Sequence, residues 1–545
     1  MDIDLSRRAA LRLLGGVGAL SLLGACSSGD DGSSPSTTAG PGTTTPGGTR
    51  PATAPGAPPA LEATVRDVRL RLSAEPTTAE IFPGLRSPVW SYKAEVLEGD
   101  PASVVDTGSY LGPTLHLRQG QRVRVRFENK LPQESIVHWH GLIVPQGQDG
   151  QPPEAVGPGK TYDYDFVVTN PPGTYWYHPH PHSHTGEQVY RGLAGLLIVH
   201  GDEPALPAGA NDVPIVLQDR TVNPDGTLVY VRQRMDQMMG FVGTTLVTNG
   251  VAACTIAVRR EPYRLRLLNG ANSRTQQLTW SSGAPFHVLA TDGHLLPAAV
   301  RTPQLVLTPA QRSDVWVDFS GLAAGTTVQL LAADLFVESG SLMGGGMGGG
   351  QGQGGGMGGM GASGATGALA LAPQVAVTFV VGESAAKPGT APTTLGPAPT
   401  VTAADAVNAA SPKQFVLSTR QAAHWINGLQ WAERSVTELE TVGVNTTELW
   451  EFVNLSPMPH PMHVHGHPFR VVARSWDDDA LAATWAGLEA GVIETGLRDT
   501  VMVWPGQRVR LAVRFAEHEG YFLYHCHVLE HEDAGMMRSY RAVRR

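Results

Sequence analysis

The sequence predicts an all-β protein of three β-sandwich units, on three observations. Strand-length runs with alternating apolar residues recur along the chain: LHLRQGQRVRVRFENKL, TYDYDFVV, YRLRLLNG, SDVWVDF, VTFVV, LWEFVNL and QRVRLAVRF. Turn residues bound each run, and 64 Gly and 41 Pro supply them. About 485 residues remain after the N-terminal segment, too many for a single core. Finally, a turn-and-strand theme repeats. Gln119-Gly120-Gln121-Arg122-Val123-Arg124-Val125 returns as Gly506-Gln507-Arg508-Val509-Arg510-Leu511, and more loosely as Pro309-Ala310-Gln311-Arg312-Ser313-Asp314-Val315. Units of 61–205, 206–385 and 386–545 fit this pattern.

Residues 1–26 read as an address rather than as structure. Ser6-Arg7-Arg8 precedes an apolar run from Leu11 to Ala25, the pattern of a twin-arginine export signal, a route that carries folded proteins. The run is too short and too glycine-rich for a comfortable transmembrane helix. It ends Leu23-Gly24-Ala25-Cys26, similar to a lipoprotein processing box with Cys26 as the lipidated residue. The alternative is an ordinary secretory signal with an incidental Cys. The Ser/Thr/Gly/Pro tether 27–60, which cannot bury a core, favours the lipoprotein. A periplasmic or otherwise extracytoplasmic monomer is expected, reaching the membrane only through a lipid at Cys26. Net charge is −9 without basic clusters, which argues against a nucleic-acid partner. Cys254 is a lone thiol expected to be buried, and no disulfide is implied.

The first unit carries two histidine pairs in strand-like surroundings, His138-Trp139-His140 and His178-Pro179-His180. Side chains on a strand alternate faces, so each pair shares one face. His182 and His184 extend the second run and are expected to support ligands or face solvent.

The second unit has His287 and His294 without a partner at metal-ligand spacing, so it reads as a spacer between its neighbours. Its glycine-rich stretch 335–366 holds Met343, Met347, Met357 and Met360. Glycine at that density holds no fixed conformation, and thioethers are soft ligands that favour Cu(I). Copper capture is the favoured reading and a flexible linker the plain one. Met235, Met238 and Met239 form a second cluster, read as core or as an addition to the first; Met458 is a further candidate contact for substrate copper.

The third unit holds the densest signal. In Tyr524-His525-Cys526-His527-Val528-Leu529-Glu530-His531, followed by Met536, Cys, His and Met stand at five-residue steps. That is the ligand order of a blue-copper electron-transfer site, one histidine short. Parity puts His525 and His527 on the opposite face from Cys526, so one strand serves two metal centres, the layout of an electron relay. In His460-Pro461-Met462-His463-Val464-His465, His463 and His465 share a face and His460 takes the other, as the missing blue-copper histidine. The eight remaining paired histidines suit a three-copper cluster.

The order HWHG, HPH, HPMHVH, HCHVLEHEDAGMM resembles the multicopper oxidases, and TGEQVYRGLAGLLIV, LVTNG and YRLRLLNGANSR extend the resemblance over almost everything after residue 61. Within that family it looks most like bacterial copper-efflux and laccase-like oxidases. The resemblance implies three cupredoxin-like Greek-key domains and four copper ions. His460, Cys526, His531 and Met536 would bind the type 1 copper. His138 and His463 would bind the type 2 copper, and His140, His178, His180, His465, His525 and His527 the type 3 pair. Asp149, eleven residues after His138, and Glu532 match family carboxylates that relay protons. The implied activity couples oxidation of a small reductant, with Cu(I) ahead of Fe(II) and phenols, to reduction of O2 to water, in the service of copper tolerance. The alternatives are laccase-like phenol oxidation, non-catalytic copper sequestration and a copper-free structural role. One departure stands out: Ser456 occupies the position where copper-efflux oxidases place an Asp beside the substrate-site Met.

Overall fold

The computed structural model describes residues 67–544, apart from 231–233, 338–367, 371, 422 and 516–517. The export signal, the tether, Cys26 and Met343, Met347, Met357 and Met360 lie outside these described residues.

Strand formation follows the alternating pattern. In Arg122–Asn129 the side chains of Val123, Val125 and Phe127 are buried, while Arg122 reaches across to Asp165 at 2.7 Å on the outer face. Such exposed pairs add little stability, on the order of 0–1 kcal/mol; the buried alternate residues decide the register. Val68–Phe82 runs parallel to Arg122–Asn129 and antiparallel to Leu85–Glu98, a crossover pattern repeated in the other units.

Six sheets pair into three sandwiches. The strands of the first run from 68 to 200, of the second from 212 to 381 and of the third from 413 to 543. Each sandwich closes over one core fed by both of its sheets. Leu70 and Val125 meet Leu117, Trp139 and Tyr177 in the first; Ile215 and Leu265 meet Leu278 and Phe379 in the second; Phe415 and Trp450 meet Met462 and Cys526 in the third. The fold is therefore all-β with cupredoxin-like sandwiches. Among the described residues the longest helix is Asp479–Glu489, and no helix is long and apolar enough to cross a membrane.

Polar groups join the units. Thr174 of the first donates to Asp314 of the second at 2.7 Å, inside a buried network with Arg264 and Arg266. Asp533 of the third accepts the Thr185 and Gly186 amides of the first at 2.8 and 2.9 Å. These contacts leave the histidine strands Val137–His140 and Gly173–Pro179 buried on both faces, one toward their own core and one toward the third unit.

Candidate metal centre

Strand register assembles the histidines. His138 lies opposite His178 across one antiparallel pair, and His463 opposite His525 across another. The two pairs come from the first and third units and interleave: the His138 ring stacks on His465 with centroids 3.9 Å apart, and His140 on His463 at 3.8 Å. All eight are buried.

Hydrogen bonds fix which nitrogen points inward in most of these rings. His138 Nδ1 donates to the Asp149 carbonyl at 2.7 Å and His463 Nδ1 to the Asp499 carbonyl at 2.8 Å, and both Nε2 atoms are buried without a partner. His465 Nδ1 donates to Asp149 Oδ2 at 2.8 Å, and its Nε2 stands 3.0 Å from His525 Nε2. His180 Nε2 lies 3.3 Å from that same atom. The outer nitrogens of His180 and His525 stand 3.3 and 3.2 Å from the two oxygens of Glu532. Three imidazole Nε2 atoms thus converge at contact distance, an arrangement that a bound cation relieves.

The remaining trio is His140, His178 and His527. His140 Nδ1 is 3.4 Å from His178 Nε2, and the His527 ring sits 5.1 and 5.3 Å from theirs. His140 offers Nδ1 because Asp499 Oδ1 holds its Nε2 at 3.1 Å. The six histidines therefore divide into His180/His465/His525 and His140/His178/His527, with His138 and His463 left for a single ion. Burial, then neighbouring imidazoles, hold His140, His178, His180, His463, His465 and His527 well below the usual histidine range. They are neutral and ready to ligate.

The second centre lies inside the third sandwich. Cys526 Sγ is 3.4 Å from His460 Nδ1 and 3.5 Å from His531 Nδ1. Met536 is fully buried in the same core, and its carbonyl accepts the Cys526 amide at 3.1 Å. The Val528 amide donates to the sulfur at 3.4 Å, which favours thiolate. Burial alone pushes the Cys526 thiol up, so a cation is what makes it a thiolate. A soft sulfur, two imidazoles and a thioether suit copper.

The comparisons agree with this donor set. The multicopper oxidase family profiles match residues 91–204 and 406–544. The chain is 30% identical over 437 residues to the multicopper oxidase mco of Staphylococcus haemolyticus, covering 79% of this chain and 81% of that one. The chain belongs to the multicopper oxidase family. It is also 28% identical to a Bacillus subtilis laccase, over 79% of this chain and 88% of that one. The crystal structure of McoA, a multicopper oxidase of Aquifex aeolicus, superposes with a TM-score of 0.70 at 29% identity, covering 91% of this chain and 99% of that one. The protein is accordingly an oxidoreductase with four coppers that uses O2.

The other residues singled out in the sequence take the following places in this oxidase. His182 is exposed and His184 half-buried, away from the histidine clusters. His294 Nδ1 donates to the Asp292 carbonyl at 3.1 Å, and Cys254 lies in the second core. Ser456 is buried and accepts His460 Nε2–H at 2.7 Å while donating to Asn454, so it braces a ligand. Met458 is half-buried, its carbonyl accepting from the Asn454 side-chain amide at 2.7 Å.

The spacer reading of the second unit needs correction. Arg312 from that unit binds Asp499 through two nitrogens at 2.8 and 2.6 Å, and Asp499 in turn holds His140 and His463, one from each flanking unit. Met238, also from that unit, offers its carbonyl to His531 Nε2 at 3.1 Å. Arg312 was visible only as part of a repeated turn, and Asp499 only as a charge ahead of the apolar strand Thr500–Val503. A third omission is His424, buried against His531 with ring centroids 3.9 Å apart; burial lowers it to about 4.

Proposed function

We propose that this oxidase takes its electrons from Cu(I), serving copper tolerance outside the cytoplasm. One observation carries the choice of reductant. The outer nitrogen of His531, the natural entry point to the blue copper, is sealed: it donates to the Met238 carbonyl on the short helix Arg234–Met239. A bulky phenol has no bare imidazole edge to stack against. The covering helix instead presents thioethers. Met235 and Met239 are 57% and 42% exposed, one helical turn apart, with Met238 half-buried beside them. Exposed methionines with no core to fill suit a soft monovalent cation. Met343, Met347, Met357 and Met360, outside the described residues, are further thioethers suited to Cu(I).

When bound, the four coppers store single electrons until O2 can be reduced to water. His460, Cys526, His531 and Met536 would hold the blue copper; His138 and His463 the type 2 ion; the two histidine trios the type 3 pair. Cys526 is bonded through the main chain to His525 and His527, one in each trio, which gives electrons a covalent path between centres. Asp149 and Glu532 are the acids placed to move protons. Asp149 holds His465 through Oδ2 and keeps Oδ1 buried without a hydrogen bond, 3.4 Å from His138 Nδ1; Glu532 spans His180 and His525. The twin-arginine pattern and the Cys26 box support export and lipid anchoring of a monomer.

Steady-state oxidation of Cu(I), Fe(II) and a bulky phenol, in parallel for the native protein and a Met235→Leu/Met239→Leu variant, tests the reading. The expected result is a native preference for Cu(I) and a several-fold higher KM for Cu(I) alone in the variant. Equal efficiency on the phenol, with Cu(I) kinetics unmoved by the variant, would make the protein a laccase-like phenol oxidase.

A further inference from the structure

His424 lies outside the ligand sets assigned above yet makes four defined contacts beside the blue-copper centre. It sits on the strand Ala423–Ile426, fully buried. Its ring packs on His531 with centroids 3.9 Å apart and planes tilted by 38°, and stands 5.1 Å from His460. Its Nε2 donates to the Met238 carbonyl at 3.1 Å, the same oxygen, at the same distance, that accepts His531 Nε2–H. With the proton on Nε2, Nδ1 is an acceptor, and the Thr419 hydroxyl donates to it at 2.9 Å. The tautomer is thereby fixed.

We propose that His424 is a positioning residue that tunes electron entry by sharing the Met238 carbonyl with His531. A carbonyl oxygen has two lone pairs, and two donors drawing on it weaken one another's bond. A ligand imidazole whose outer N–H is strongly bonded becomes more basic and favours the oxidised metal. By taking part of that acceptor, His424 keeps His531 a weaker donor to copper and holds the site a stronger oxidant. Its ring face also keeps the His531 plane from turning. The effect is independent of which reductant is physiological, but it rests on His531 as a blue-copper ligand.

Two substitutions separate the contacts. His424→Phe keeps the stacked ring and loses the N–H; His424→Gln keeps a donor and loses the ring. Potentiometric titration of the blue band in copper-replete protein should show a lower potential for His424→Phe, with His424→Gln nearer the native value. Reduction of the blue copper by a one-electron donor should slow in the same order. Thr419→Val, which frees the tautomer from a distance, should lower the potential less than His424→Phe and covers the case in which a His424 variant does not fold. Equal potentials across the native protein and these variants, or a higher one in His424→Phe, would overturn the proposal. The ligand assignment is read separately: His531→Ala must lose one imidazole nitrogen coupling in the EPR spectrum of the blue site.

Discussion

The two metal centres proposed above are built in opposite ways. The blue-copper centre lies within one sandwich, its ligands drawn from residues 460–536 and its sulfur part of a hydrophobic core. The trinuclear centre lies between sandwiches, four histidines from the first unit and four from the third, braced by an arginine of the second. A centre inside one core inherits the precision of that core's packing. A centre at a junction depends on how whole domains meet, so it needs clamps. Asp149 reaches across to His465, Glu532 to His180, and Asp499 with Arg312 ties all three units together.

If the contrast is correct, each centre can be disabled without the other. The largest effect is expected from Cys526→Ser. It should abolish the blue absorption and nearly all turnover, because the thiolate gives the colour and carries the electrons, while the eight histidines still bind copper. Spectra and metal content of the purified variant check this; a surviving intense blue band would mean that Cys526 is not a ligand.

Next comes Arg312→Leu, aimed at the junction. It leaves Asp499 buried without its cation, while Asp292 keeps Arg498, a loss of about 3–5 kcal/mol where a buried pair is broken. Copper content should fall at the trinuclear centre while the blue band persists, and thermal unfolding should start earlier. Equal loss at both centres would show that the sandwiches do not hold their sites independently.

The narrowest effect, confined to one half-reaction, is expected from Asp149→Asn, which keeps the shape and a carbonyl oxygen for His465 but cannot shuttle protons near neutral pH. Proton transfer by a placed acid contributes roughly 10²–10⁴-fold, so reoxidation by O2 should slow within that range while anaerobic bleaching by reductant keeps its rate. Slower bleaching with unchanged reoxidation would remove Asp149 from the proton path.

The legibility of the two centres differed for the same reason that their construction does. Cys526, His531 and Met536 stand within eleven residues, and strand parity separates Cys526 from His525 and His527, so local geometry alone pointed to two centres and named His460 as the missing ligand. The all-β class was equally readable, because period-two burial is a property of single strands, as Val123, Val125 and Phe127 show. The division of the type 3 ligands into two trios, and the use of Nδ1 by His140, could not be read. They depend on Asp499, which is 359 residues from His140 and touches it only after the domains dock.

What the amino-acid sequence determined by itself was the fold class, the histidine pairs and the ligand order of the blue site, all set by alternation within strands and by spacing of a few residues. Only the tertiary structure decided how the centres are supported and reached: Arg312 on Asp499, Ser456 on His460, and His424 and Met238 over His531. Those contacts join side chains far apart in the chain. Each forms because a buried polar group must find a partner when packing removes it from water, and only the folded arrangement says which partner is near.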